Sequence, residues 1–361
     1  MYKLLLLSIL AETVSTVEIR KHLLSWNIER SIKRIAPKQT KVYWNIPTFQ
    51  CDYHQLNFTG LATKYGIIQN EKDRFHGDQI NILYDPGDFP AILKNGSASV
   101  LRNGGVPQAG NLTKHLEIFA AFLDELIPDD EFAGVGVIDF ESWRPIFRQN
   151  FGVLEEYKNL SIAIEKRKHP FWPTTWIEKE AKIQFESSAR KFMEETLFLA
   201  KLMRPNATWG YYGYPYCFNM SPNNMRGGCP KEVVEENNRL EWLFELTDNL
   251  YPSIYLENIR LNESDRVKLI EGRIEESHRV IKRMNKKENT NIVPYFWYKY
   301  HDTHEFLSKN DLFNAFTVLA SSDINGLVIW GSSNDVNTKK KCIDDYQYID
   351  NILGPLLQFN F

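Results

Sequence analysis

Two acids set two residues apart, Asp139 and Glu141, carry the strongest chemical signal in the chain. They end the stretch Gly134-Val135-Gly136-Val137-Ile138-Asp139-Phe140-Glu141-Ser142-Trp143-Arg144-Pro145. Its first half is short, β-branched and bounded by glycine, which predicts a buried strand. Side chains alternate along a strand, so Asp139 and Glu141 share a face and Phe140 points the other way. Their Cα atoms would lie roughly 6–7 Å apart. Two acids crowded in this way raise one pKa and create a general acid usable near neutral pH. The plainer alternative is a strand that emerges into solvent with two surface acids.

Other expected strand ends carry Tyr84-Asp85, Tyr212 to Tyr214, Tyr255 and Trp330. Tyrosine and tryptophan offer flat faces to sugar rings and donors to sugar hydroxyls. A carboxylate pair ringed by such residues favours a carbohydrate-active site over rim packing. Other chemistries fit less well. Gly134-x-Gly136 lacks the third glycine of a dinucleotide fingerprint, and Asp139-Phe140-Glu141 fills the turn that would cradle phosphate. His301-Asp302-Thr303-His304-Glu305 matches no metal spacing and reads as a polar loop. There is no C-x-x-C or H-E-x-x-H, so no metal and no cofactor is expected.

The elements that must position these residues alternate. Expected strands are Lys41 to Pro47, Gln79 to Asp85, Gly104 to Pro107, Gly134 to Phe140, Trp209 to Pro215, Pro252 to Leu256, Ile292 to Tyr298 and Leu327 to Trp330. Expected helices are Leu112 to Ile127, Ile177 to Met203, Val233 to Leu250, Asp265 to Met284 (capped by Ser264), Asp311 to Ala320 and Ile343 to Leu357. Alternation of this kind implies α/β architecture with a parallel sheet. Seven or eight units without a second compositional zone favour one domain, a TIM-like (β/α) barrel over residues 41–361. In such barrels the chemistry sits at the C-terminal ends of the strands.

The chain has 361 residues and a net charge of −3, from 43 Lys and Arg against 46 Asp and Glu. That balance gives no global case for nucleic acid. Basic runs at Lys166-Arg167-Lys168 and Lys339-Lys340-Lys341 read as solvated faces. Residues 1–40 read as a secretory signal, with the apolar run Leu4 to Ala11, followed by a poorly ordered basic leader. No stretch approaches the ~20 apolar residues of a membrane span. Sequons at Asn57, Asn95, Asn111, Asn159, Asn206, Asn219 and Asn262 agree with secretion, although Pro222 weakens the one at Asn219. Four cysteines allow three pairings. Cys217 and Cys229 bracket a short loop and form the natural local pair, which leaves Cys51 with Cys342.

Six segments resemble one family. They are Trp44-Asn45-Ile46-Pro47-Thr48-Phe49, Tyr84-Asp85-Pro86-Gly87, Arg102 to Gln108, Gly136 to Asn150, Trp209 to Asn219 and Ile329-Trp330-Gly331-Ser332-Ser333. In this order they are similar to the hyaluronidases, and to their hymenopteran venom members above all. The resemblance implies a distorted, seven-stranded barrel that cuts the β-1,4 bond from N-acetylglucosamine to glucuronic acid in hyaluronan, with chondroitin as a second candidate substrate. It implies retention without an enzyme nucleophile, the acetamido oxygen of the substrate attacking instead. Glu141 matches the acid/base residue and Asp139 the acid that orients the acetamido group. Tyr212, Tyr255 and Trp330 match the pocket, and Tyr84, Asp85 and Arg144 match the cleft. The cysteines match two bridges, Cys51–Cys342 and Cys217–Cys229. Ser142 departs from the arginine of many venom relatives, on the side facing away from the pocket. A secreted monomer acting on hyaluronan is expected. The rival functions are a catalytically silent hyaluronan binder and a chitinase. A chitinase would need further Asp residues where Gly134 and Val137 stand.

Overall fold

A computed structural model describes residues 40–361, apart from Ser97 and residues 285–289. The expected signal and leader therefore lie outside the described residues, as does the side chain of Asn95. Along the chain, β1 (Lys41–Asn45), α1 (Thr59–Lys64) and β2 (Ile80–Tyr84) precede a hairpin of β3 (Ala91–Asn95) and β4 (Ala98–Arg102). Then come α2 (Leu112–Leu126), β5 (Val135–Asp139), α3 (Glu155–Lys168), α4 (Thr174–Met203) and β6 (Thr208–Tyr211). The second half runs α5 (Lys231–Arg239), α6 (Glu241–Leu246), β7 (Asn249–Leu250), α7 (Glu263–Arg283), β8 (Asn291–Ile292) and β9 (Tyr295–Trp297). It closes with α8 (Lys309–Ser321), β10 (Gly326–Trp330), α9 (Lys339–Tyr348) and α10 (Gly354–Asn360). Residues 40–361 form one compact α/β unit. Among the described residues no helix is long and apolar enough to cross a membrane.

The strands outside the hairpin pair in parallel. One set is β1-β10-β9, a second is β2-β5-β6, and β7 pairs with β8. Single bridges, Tyr212 with Tyr251 and Ser253 with Tyr295, link neighbouring sets. The expected continuous ladder of seven to eight strands is thus broken into short pieces. Proline explains the breaks nearest the site. Pro252 and Pro294 follow β7 and β8 closely, and neither has an N–H to give a ladder. Their carbonyls still accept, Pro252 from Tyr295 N at 3.0 Å and Pro294 from Val328 N at 2.9 Å.

Strand alternation sorts the core. Ile82 and Val137 enter an inner cluster with Ile80, Val135, Tyr251, Val293, Tyr295 and Val328. Leu83 and Ile138 face the other way, into a cluster shared with Phe119, Phe192 and Leu197 of the covering helices. Each such side chain contributes ~1.5–3 kcal/mol by leaving water. Gly136 is required here: a Cβ would lie 2.4 Å from the Trp209 ring on neighbouring β6.

Several expectations are corrected. Gly104 to Pro107 is no strand; Gly104 and Gly105 take φ of +80° and +79° in a turn. The β3–β4 hairpin has exposed Val100 and Leu101, so it carries no buried-strand signature. Val233 to Leu250 is two helices and a strand, because Leu240 leaves helical geometry. Pro252 to Leu256 makes a single bridge, Ser253 with Tyr295. Helix α3 was not anticipated. Helix α7 is capped by Asn262, whose side chain accepts from Asp265 N, and not by Ser264.

Two disulfides are present, Cys51–Cys342 and Cys217–Cys229. The first spans 291 residues and ties the start of the fold to α9. Long loops give the larger unfolded-state effect, roughly 2–5 kcal/mol on the chain-entropy view.

Candidate active site

The end of β5 opens into a cavity of about 530 Å³. Asp139 and Glu141 both line it, while Phe140 stacks on Phe89 in the helix-side core, 4.1 Å between centroids. The alternation expected from the sequence therefore sets both acids on the cavity face. Asp139 is half-buried and Glu141 is exposed to the cavity. Burial, then Glu141 and Asp85, push the Asp139 carboxyl up to about 8. Burial also raises Glu141, against the lowering influence of Arg144 and His301. Among the described residues no cation lies within ion-pair distance of either acid. The coupled pair consequently retains one proton at neutral pH. Burial, more than mutual repulsion, is the larger cause.

An aromatic wall faces the acids. The Tyr212 ring lies 6.3 Å from Tyr255 and meets Tyr295 edge-on at 5.2 Å. Tyr255 stacks on Trp330 at 5.5 Å and 21°, and Trp297 meets Trp330 edge-on at 5.1 Å. Trp330 Nε1 donates to the Tyr84 hydroxyl at 2.8 Å, so the ends of β10 and β2 hold one another across the cleft. Trp297 Nε1 in turn donates to Asp335 at 3.0 Å. The rings are fixed before any ligand arrives, which lowers the entropy cost of binding.

The eight expected site residues divide. Asp139, Glu141, Tyr212, Tyr255 and Trp330 line the cavity together. Tyr84 joins them through Trp330. Asp85 does not line the cavity; both its oxygens accept from Arg102, at 2.6 and 2.8 Å. It sits at φ 43° just past β2 and donates its N–H to the Asp139 carbonyl at 2.7 Å. Arg144 lies behind the wall, with its guanidinium 4.9 Å from the Tyr216 ring and 5.2 Å from Phe218. It reaches Glu141 through charge alone.

Tyr216, Trp297, His301 and Arg273 also line the cavity, although none is among the expected site residues. His301 belongs to the loop read as merely polar. It does sit in a turn, but its ring stacks near Tyr255 at 6.4 Å and 24°. Its position just past β9 was the available signal, since such ends face the site. Arg273 gave none, because it projects from the middle of α7. Its Nε donates to Asn219 Oδ1 at 3.1 Å, and burial lowers it to about 10, still cationic at neutral pH. Asn219 is 1% exposed and its amide nitrogen donates to the carbonyls of Gly227, Lys268 and Leu269. Gly272 admits this loop: a Cβ there would meet the Gly227 oxygen at 2.0 Å. Among the described residues no cluster of His, Cys, Asp and Glu could hold a metal.

The hyaluronidase family model matches residues 31–359. The chain belongs to the hyaluronidase family. This is a family of glycoside hydrolases, and the chain is one of them. A hyaluronidase of Apis mellifera is 49% identical over 89% of this chain and 84% of its own length. One of Vespa magnifica is 46% identical over 91% of each. The crystal structure of bee venom hyaluronidase in complex with a hyaluronic acid tetramer superposes with a TM-score of 0.87. It covers 89% of this hyaluronidase chain and 99% of its own.

Proposed function

We propose that the protein is a secreted, monomeric endo-glycosidase that hydrolyses the β-1,4 bond between N-acetylglucosamine and glucuronic acid in hyaluronan. The observation that carries this is the proton-sharing pair Asp139 and Glu141, unpaired by any cation among the described residues, in an aromatic cavity of a hyaluronidase-family chain. The broken parallel strand sets are read as one distorted (β/α) barrel over residues 41–361, with residues 1–40 as signal and leader.

The chemistry follows from the shared proton. In the free site it favours Asp139. The acetamido N–H of the substrate donates to Asp139 and stabilises its ionised form. A charged Asp139 then raises Glu141 further, and the proton moves to Glu141. The acetamido oxygen attacks the anomeric carbon while the bond to the leaving oxygen breaks. Glu141 protonates that oxygen, and Asp139 offsets positive charge on the oxazolinium intermediate. Water next attacks the same carbon, Glu141 takes its proton, and two inversions give net retention. Tyr212 and Tyr255 contact the reacting sugar, and Trp330 walls the pocket. Arg273 meets substrate carboxylates, so affinity falls with rising ionic strength.

A reducing-end assay on hyaluronan, chondroitin and chitin tests the reading. Cleavage of hyaluronan to even-numbered oligosaccharides supports it, and cleavage of chondroitin alongside would widen the substrate class. Binding without cleavage would instead identify a silent hyaluronan binder.

A further inference from the structure

Helices α3 and α4 form an antiparallel hairpin whose tip exposes three large aromatic side chains. Helix α4 ends at Met203, shortly before β6 begins, so its start lies on the side where Asp139 sits. Glu186 of α4 accepts a hydrogen bond from Phe147 N at 3.0 Å, in the segment that follows the catalytic strand. From Glu186 to the start of α4 at Thr174 the helix extends some twelve residues further, or ~18 Å. The tip therefore projects beyond the cavity side of the strands.

That tip is aromatic and basic. Phe171 is 95% exposed, Trp176 61% and Trp172 39%. Three rings are mutually ordered. His169 stacks on Trp172 at 3.7 Å and 7°, and Trp172 meets Trp176 edge-on at 6.2 Å. Pro170 and Pro173 stiffen the turn, and Trp172 N donates to His169 O at 3.1 Å. Among the described residues neither indole N–H meets an acceptor. Lys166 and Arg167 are exposed beside the rings, and among the described residues Lys166 has no acid partner. The adjoining acid, Glu165, is buried and met by Lys168 at 2.8 Å. Exposed, ordered aromatic surface of this kind marks an interaction site. Flat rings with free N–H donors suit sugar faces, and uncompensated cations suit carboxylates.

We infer that the hairpin tip is a second, non-catalytic site for an anionic polysaccharide, which holds the polymer while the cleft cuts it. This rests on the polyanionic substrate proposed above. Trp172 and Trp176 stack on sugar rings, and Lys166 and Arg167 meet the carboxylates. A chain long enough to span both sites gains effective concentration in the cleft; a short oligosaccharide does not.

The test uses the full chain and two surface variants, Trp172→Ala/Trp176→Ala and Lys166→Glu/Arg167→Glu. Affinity for long hyaluronan is measured in a Glu141→Gln background, and turnover of a hyaluronan hexasaccharide is measured without it. Both variants should bind the polymer roughly tenfold more weakly, with hexasaccharide turnover unchanged. Unchanged polymer affinity overturns the proposal, as does an equal loss on the hexasaccharide. A third arm uses vesicles containing anionic lipid. If the variants lose vesicle binding but keep the polymer, the tip is a lipid-surface contact and the proposal fails. Absence of hexasaccharide turnover by the parent chain would defeat the proposed function instead, while polymer affinity still reads the tip.

Discussion

Two regions near the same strand ends hold interior acids and treat them oppositely. In the cleft, Asp139 and Glu141 face a cavity, and among the described residues no cation is paired to them. Just past β9, Lys299 Nζ lies 3.2 Å from Asp335 and 3.1 Å from Asp345, and the Tyr298 hydroxyl donates to Asp345 at 2.6 Å. Asp345 is fully buried, yet it is raised only to about 6, because Lys299 and Tyr298 oppose the burial. Asp139 rises further, to about 8: burial is again the first cause, and its charged neighbours Glu141 and Asp85 add to it instead of opposing it. Burial alone does not make a proton donor; the sign of the neighbouring charge decides. One cluster pairs its acids with a cation; the other leaves a proton on its acids, which the proposed mechanism would use.

Charge removal should separate the two. Glu141→Gln should lower hyaluronan turnover by roughly 10²–10⁴-fold while binding and melting temperature hold, since it removes only the proton carrier. Near-normal turnover in that variant would end the acid/base assignment. Lys299→Met should do the reverse. It leaves two buried acids unpaired and should cost about 3–5 kcal/mol of stability, read by urea unfolding at pH 7. Turnover per folded molecule should change far less. If turnover collapses while stability holds, the stabilising role is wrong.

The Asp139 proton adds a pH signature. Folded Asp139 binds its proton more tightly than the ordinary value of 3.8. Its contribution to stability is therefore fully present near pH 4 and is lost as pH rises through about 8. Asp139→Asn should be inactive, yet more stable than the parent at pH 8 by roughly 1–3 kcal/mol, with little difference at pH 4.5. Equal stability at both values would mean that Asp139 is ionised throughout. A smaller effect concerns glycans. Asn219 should be unmodified in secreted protein, because its amide is buried and fully donated; peptide mass mapping reads this directly, and a glycan there would contradict the burial.

Much of the site was legible because strand geometry is local. A period of two separates Asp139 and Glu141 from Phe140 whatever the rest of the chain does. The strand-end rule likewise pointed to Tyr212, Tyr255 and Trp330. It overreached at Asp85, whose carboxylate is captured by Arg102 from the unforeseen β3–β4 hairpin. His301 lies past the end of its strand in a loop whose charged and polar residues, Asp302 to Glu305, mask the signal. Arg273 was invisible, since nothing local says which way a mid-helix arginine turns.

By itself, then, the sequence determined the alternating α/β order, the shared face of the two acids and the membership of a family. Each of these depends on residue type and near-neighbour spacing. Only the tertiary structure decided the charge environment. It held Lys299 away from Asp139, set Arg144 behind an aromatic wall and brought Asp85 to Arg102. Proton affinity depends on burial and on charges from distant segments, and those distances exist only once the chain has folded.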